Sequence, residues 1–82
     1  MKMMSISGRL IDRESMIKQL ESDGVQIFRV YDYDRLMIGV KTHCRIIFNV
    51  PDEETETALM LRYPPGYLEE HDALKRLKRL DI

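Results

Sequence analysis

The spacing of apolar residues changes near residue 25, and this change limits the possible folds more than any other feature of the sequence. Before it, residues 13–23 carry apolar side chains at helical spacing, whereas after it the side chains fall into two alternating sets as far as Val50. A spacing of 3.6 residues is typical of a helix that packs on one side, and a period of two is typical of a strand. The sequence therefore predicts a domain of the α+β class.

Both ends of the first helix carry residues that suit helix termini. Asp12 is the predicted N-cap, because its carboxylate can accept the free N–H groups of the first turn. Gly24 is the predicted stop, because glycine readily adopts the left-handed conformation that ends many helices, with Val25 then placed against Leu20. A helix over residues 13–23 is the clearest local prediction of the sequence.

The rest of the chain predicts a sheet and a second helix. Strands are predicted at residues 3–10, 26–31, 36–40 and 43–50, with a hairpin turn at residues 31–35. Residues 52–56 form an acidic connector. Residues 57–63 are apolar on both faces, which indicates a buried strand or, as the alternative, a helical turn. Residues 68–80 predict a helix that begins with acidic residues and ends with basic ones, as the helix dipole favours.

The resulting element order is β-α-β-β-β-β-α. It corresponds to a small α+β fold, an antiparallel β-meander of about four to five strands with two helices packed on one face. With 82 residues, the chain is expected to form a single domain over residues 1–82. A core of this size leaves Met37, Ile47 and Met60 without obvious cover, so we expect a homodimer or a larger assembly.

Composition narrows the partners and the compartment. The formal net charge is −1, which argues against a protein whose whole surface binds nucleic acid. The single cysteine, Cys44, cannot form an internal disulfide, and this favours a reducing compartment. No apolar stretch approaches membrane-spanning length. We therefore expect a cytoplasmic protein that interacts with another protein or with itself, and not with a membrane.

Few residues suggest chemistry. Asp32 and Asp34 could converge on a hard cation, but two aspartates in a turn more often serve the turn itself. His43 and Cys44 point to opposite faces of a strand and cannot share one zinc ion, so no metal and no cofactor are expected. Cys44 belongs with the core residues of its strand. His43 lies on the other face near Arg45, where it could act as an acid-base group on a phosphodiester.

The densest basic region lies at the end of the predicted last helix. Basic residues at a helix C-terminus are favoured by the dipole alone, and a solvated helix face is the simpler interpretation. The alternative is a phosphate-binding surface. The candidate nucleic-acid-binding residues are Arg45, Lys75, Lys78 and Arg79. Tyr31, Tyr33, Tyr63 and Tyr67 could stack on bases or form the rim of a protein interface.

From Ser15 onward, the order helix, strands, helix resembles the α-β-β-β-α plan of double-stranded-RNA-binding folds, in particular the small HicA-type ribonuclease toxins. Three segments carry the resemblance: residues 17–24 as the opening helix with its glycine stop, Thr42-His43 at the head of a strand, and residues 74–77 in the closing helix. The resemblance implies that His43 is catalytic.

Two function hypotheses follow. The first is a non-enzymatic interaction or regulatory domain, which acts through a sheet face or edge and self-associates. The second is an RNA-binding or RNA-cleaving domain that uses His43 and the basic C-terminal helix. A cluster around His43 would favour RNA, whereas scattered basic residues would favour a protein partner. The residues that would form this cluster are Arg29, Lys41, Arg45, Lys75, Lys78 and Arg79.

Overall fold

The computed structural model describes residues 2–64 and 66–70, and these residues form one antiparallel sheet and two helices. The elements are β1 (Lys2–Arg9), α1 (Arg13–Ser22), β2 (Gln26–Tyr33), β3 (His43–Val50), α2 (Glu53–Arg62) and β4 (Leu68–Glu70). A 3-10 turn, Leu10–Asp12, leads directly into α1. The predicted fold class, a small α+β domain with an antiparallel sheet and two helices, is confirmed.

The strand order in the sheet is β2-β3-β1-β4, and every neighbouring pair is antiparallel. Only β2 and β3 are both adjacent in the sheet and consecutive in the chain, so the sheet is not a simple meander. Each helix connects two strands that are not neighbours in the sheet. This connectivity is the split β-α-β arrangement.

The core lies between the sheet and the two helices. It is formed by alternate residues of β1 and β3, together with side chains from the helices and from the residue that precedes β2: Met4, Ile6, Leu20, Val25, Ile46, Phe48, Val50 and Leu59. Leu20 of α1 is 0% exposed and Leu59 of α2 is 1% exposed, so both helices pack on the same face. Burying a side chain of this size stabilises the fold by about 1.5–3 kcal/mol.

The end of α1 confirms its prediction, whereas its beginning corrects one. Gly24 has φ +91°, and the N–H groups of Gly24 and Val25 donate to the carbonyls of Glu21 and Leu20, which is the Schellman pattern. Asp12 does not cap the helix with its side chain. Because the 3-10 turn runs into α1, Asp12 is already helical, and its carboxylate accepts from Arg9 instead.

Residues 57–63 do not form a strand. They belong to α2 and the residue that follows it, so the predicted strand is wrong and the alternative, a helical segment, is correct. Asp52, predicted as part of a connector, is the N-cap: its carboxylate accepts the N–H of Thr55 at 2.7 Å. Three glutamates in the first turn suit the positive end of the helix dipole. Leu59 of this segment is buried, whereas its apolar neighbours Met60 and Leu61 are exposed on the helix surface.

The predicted strand at residues 36–40 is a loop, and the hairpin turn is longer than predicted. β2 continues to Tyr33, and residues 34–42 then connect it to β3. The Asp34 carboxylate accepts the N–H groups of Ile38 and Gly39, at 3.1 and 2.7 Å, and this holds the loop away from strand geometry. Met37 has φ 56° and Gly39 φ 88°, both outside the β region.

The helix predicted over residues 68–80 is wrong at its start, since Leu68–Glu70 form strand β4 against β1. Its remainder lies outside the described residues. The α-β-β-β-α plan of the RNA-binding folds is not seen either, because α1 is followed by two strands, a helix and a strand. Within residues 2–64 and 66–70, no helix has the length and hydropathy to span a membrane.

Candidate functional site

The sheet face opposite the described helices carries arginine and tyrosine side chains in a regular grid. Residues that lie opposite each other in antiparallel strands project to the same side, so the register defines this face. One row across β2, β3 and β1 is Tyr33, His43, Arg9; the next is Tyr31, Arg45, Ser7; the third is Arg29, Ile47, Ser5. We call these nine residues the Arg-Tyr face.

A β-bulge in β2 gives the face its composition. The register of β2 against β3 shifts between Ile27 and Arg29, so Phe28 is the extra residue. Ile27 lies opposite Phe48 on the core side, whereas Arg29 lies opposite Ile47 on the Arg-Tyr face. Strict alternation would have placed Ile27 and Arg29 on the same side.

Four side chains form a continuous run along the face. The Arg29 guanidinium carbon lies 5.9 Å from the centre of the Tyr31 ring, within the range of a cation–π contact. The rings of Tyr31 and Tyr33 are 6.2 Å apart, and those of Tyr33 and His43 are 5.9 Å apart. These tilted pairs have the spacing of aromatic contacts in proteins. The run joins one cation to three rings.

The Arg45 side chain extends from β3 across β1 to β4. Its Nε donates to the Ser7 hydroxyl of β1 at 3.1 Å, and its guanidinium lies 3.7 Å from the Glu69 carboxylate of β4. The side chain is 31% exposed, so it is ordered by neighbours and still reaches solvent. In the next row of the same face, Ser5 and Ile47 are buried, at 2% and 6% exposure. Ile47 was expected to lack cover, and this expectation is wrong.

His43 stands at the end of the face beside the β2–β3 loop. Its Nδ1 lies 2.8 Å from the Thr42 hydroxyl, which also accepts the N–H of Arg35 at 3.2 Å. Arg9 is opposite His43 in β1 and pairs with Asp12 at 3.2 Å. The ring of His43 is therefore in contact with a hydroxyl and an aromatic neighbour, and Arg9 is its register partner on β1.

The structure brings some predicted site residues together and not others. His43 and Arg45 share the face with Arg29. Lys41 is an exposed residue of the β2–β3 loop. The predicted binding residues Lys75, Lys78 and Arg79 lie outside the described residues. Arg9 and Ser7 were not predicted as site residues, because only the β1–β3 register places them beside His43 and Arg45.

No family model, curated protein or solved structure matches this chain. The function is therefore inferred from the chemical groups on the Arg-Tyr face. It combines three guanidinium groups, two phenol rings and an imidazole, with carboxylates paired to two of the arginines. Guanidinium groups contact phosphate oxygens well, and aromatic rings stack on bases.

The two aspartates of the D-x-D sequence are each engaged elsewhere. Asp32 accepts two hydrogen bonds from Arg13 of α1, at 2.8 and 3.1 Å, and lies on the core side of β2. Burial acts to raise the pKa of Asp34, but N–H donors from Gly39, Ile38 and Met37 outweigh it, so the pKa lies below its ordinary value. Among the described residues, no three potential metal ligands gather in one place.

Cys44 is a packed residue, as its position in the alternation predicted. It is 0% exposed. Burial, with the nearby Asp32 charge, raises the pKa of its thiol above the ordinary value. Because the thiolate is the nucleophilic form, this environment suppresses reactivity at Cys44.

Proposed function

We propose that this protein binds single-stranded RNA on the Arg-Tyr face. The observation that carries the proposal is the run Arg29, Tyr31, Tyr33 and His43, flanked by Arg45 and Arg9 on the neighbouring strands. Unpaired bases can stack on the tyrosine rings while the arginines contact phosphates. A cytoplasmic location, expected from the single cysteine, would give this face access to RNA.

A single strand is favoured over a duplex by the shape of the face. Its side chains project from a sheet, and stacking on Tyr31 or Tyr33 requires a base that is free of its partner. The net charge of −1 also matters. Because no whole-surface cation field is available, binding should depend on these few local contacts. Its salt dependence should be shallow, with a slope of log K against log salt no steeper than about −2 for three arginines.

The first test separates stacking from charge. Tyr31→Leu removes the ring that is 39% exposed and keeps an apolar side chain on the strand. We expect affinity for a fluorescent oligouridine of about 12 nucleotides to fall about 10-fold, since stacking on one aromatic side chain is worth about 1–3 kcal/mol. Fluorescence anisotropy titrations measure this directly.

The second test concerns the arginines that would bind phosphates. Arg29→Gln with Arg45→Gln should lower the affinity and reduce the slope of log K against log salt by about 0.7 for each phosphate that the variant no longer neutralises. Lys18→Gln is the matched control, because Lys18 is an exposed residue of α1, which packs on the opposite face. If wild-type protein shows no binding at about 50 mM salt, or if Lys18→Gln weakens binding equally, the proposal is wrong.

Cleavage is a separate question, and we expect binding without cleavage. RNA cleavage by acid-base chemistry needs a base and an acid. His43 can supply one of them, but its described ring neighbours, Thr42 and Tyr33, include no carboxylate or second imidazole to supply the other. Incubation of end-labelled RNA with wild-type protein and His43→Ala decides this. A product formed by wild type, and reduced about 10²- to 10⁴-fold by the substitution, would make His43 catalytic.

The basic residues predicted in the C-terminal segment enter the same assay. Replacing Lys75, Lys78 and Arg79 by Gln should flatten the salt dependence further if that segment also contacts phosphates. An unchanged slope would restrict the RNA contacts to the Arg-Tyr face.

A further inference from the structure

The β2–β3 loop, residues 34–42, presents a run of apolar side chains to solvent. Leu36, Met37, Ile38 and Val40 are 60%, 89%, 62% and 58% exposed. The run is bounded by Arg35 and Lys41, which are also exposed. Four neighbouring apolar side chains in one loop form a patch of the kind that marks an interaction site.

The loop is preformed. The Asp34 carboxylate holds the N–H groups of Ile38 and Gly39, and the Thr42 hydroxyl accepts the N–H of Arg35. The N–H of Thr42 donates to the carbonyl of Tyr33 at 3.0 Å and closes the base of the loop. Met37 holds a left-handed conformation that is unfavourable for a residue with a side chain. The fold thus fixes the apolar side chains outward.

A second surface of the same chain has complementary properties. The side of α2 that faces away from Leu59 carries Glu53, Thr57, Met60 and Leu61, at spacings that place them on one helix face. Met60 and Leu61 are 60% and 83% exposed, and the glutamate at the start of the helix is also exposed. We call these four residues the outer strip of α2. It is apolar at one end and acidic at the other.

We propose that the β2–β3 loop of one copy docks on the outer strip of α2 of a second copy. The apolar side chains of the loop would cover Met60 and Leu61, and its flanking cations would face Glu53. The proposal does not depend on RNA binding.

Charge favours this pairing over contact between two identical loops. A symmetric contact through the loop would bring Arg35 and Lys41 of one copy against the same cations of the other. The loop cannot readily reach Glu53 of its own chain. The loop lies just before the start of β3, whereas Glu53 lies just after its end. Eight strand residues separate the two ends by roughly 25 Å.

The contact joins two different surfaces, so each copy uses one loop and one strip. Such a head-to-tail contact leaves a free loop at one end of a dimer and a free strip at the other, and it continues into a chain or closes into a ring. The wild-type mass should therefore rise with concentration beyond the dimer.

Complementary variants test the arrangement. Ile38→Asp disables the loop and Leu61→Asp disables the strip; both positions are exposed, so folding should be kept and is checked by circular dichroism. By analytical ultracentrifugation, each variant alone should associate at least about 10-fold more weakly than wild type. An equimolar mixture should form a 1:1 dimer that does not grow, since only one loop and one strip remain functional.

Other outcomes overturn the proposal. Wild type that stays at 9.7 kDa at hundreds of micromolar would exclude it. So would a mixture that remains monomeric, or a single variant that assembles as wild type does. Sedimentation with vesicles of three parts phosphatidylcholine to one part phosphatidylserine covers a lipid occupant: wild-type binding that Ile38→Asp removes, with no self-association, would assign the loop to a membrane surface instead.

Discussion

On one side of the sheet, Ile46 and Phe48 of β3 lie under two helices and are closed to solvent. On the other side, Arg45 of β3 and Tyr31 of the neighbouring β2 remain partly exposed. The covered side is held by contact among apolar groups. Apart from its buried residues Ser5 and Ile47, the Arg-Tyr face is held by cation–π, ring and ion-pair contacts, each of which is weak in water. If the proposed binding is correct, substitutions on the two sides of the sheet should have separable effects on stability and on RNA affinity.

The largest expected difference comes from the two phenylalanines. Phe48→Ala should lower the free energy of unfolding by about 3–5 kcal/mol, because Phe48 is 0% exposed and its truncation leaves a cavity. Phe28→Ala is the matched control, since Phe28 is 62% exposed at the bulge, and its change should stay within about 0.5 kcal/mol. Urea titrations measure both. Equal decreases would mean that burial does not decide the cost of truncating a phenylalanine in this sheet.

The second largest loss of stability is expected at Gly24, at the end of α1. Gly24→Val should cost at least about 1 kcal/mol, because it forces a β-branched residue to φ +91°. Among the described residues beyond its two neighbours, no atom lies within 4 Å of the added Cβ position, so the cost is backbone strain rather than a clash. Gly8→Ala is the contrasting case: its Cβ would lie 2.7 Å from Met16 Sδ, the end of a flexible side chain that can move. Thermal melts should show the smaller destabilisation for Gly8→Ala.

On the Arg-Tyr face, stability should respond little. Arg45→Gln removes an ion pair with Glu69, whose side chain is 61% exposed, and the free energy of unfolding should change by no more than about 1 kcal/mol. RNA affinity of the same variant should fall clearly. A variant that unfolds as readily as Phe48→Ala would show that Arg45 is a structural residue, contrary to the proposed division.

The smallest expected effect is the response to acid. Hydrogen bonds from the backbone and side chain of Thr55 hold the pKa of Asp52 below its ordinary value. The contribution of Asp52 to stability is therefore present above the unfolded pKa of about 3.9 and is lost as pH falls through the lower, folded value. Asp52→Asn should flatten this acid limb of the stability curve without changing RNA binding at neutral pH. An unchanged acid limb would argue against the Asp52 cap.

Prediction from the sequence is correct where local signals agree with the fold. The conformational preference of glycine predicts the end of α1 at Gly24. Alternation predicts that His43 and Phe48 project to different faces of β3. Prediction from the sequence fails at residues 36–40, where a strand-like alternation is overridden by the Asp34 side chain, which binds loop N–H groups. It also fails at residues 57–63, because apolar residues on all sides indicate burial although Met60 and Leu61 are exposed.

The candidate site was predictable only in part. Alternation alone indicated that His43 and Arg45 share a face. The contribution of Arg9 depends on long-range register between β1 and β3, and the position of Arg29 depends on the bulge at Phe28. Neither has a local signal that single-residue preferences can detect.

The burial of Cys44 has a consequence for chemical work on the protein. Its thiol is inaccessible in the folded state, so alkylating reagents should reach it only when the sheet opens locally. The rate of modification under native conditions thus reports on that opening. A cysteine introduced at an exposed position, such as Met37, could be labelled selectively while Cys44 is left in place.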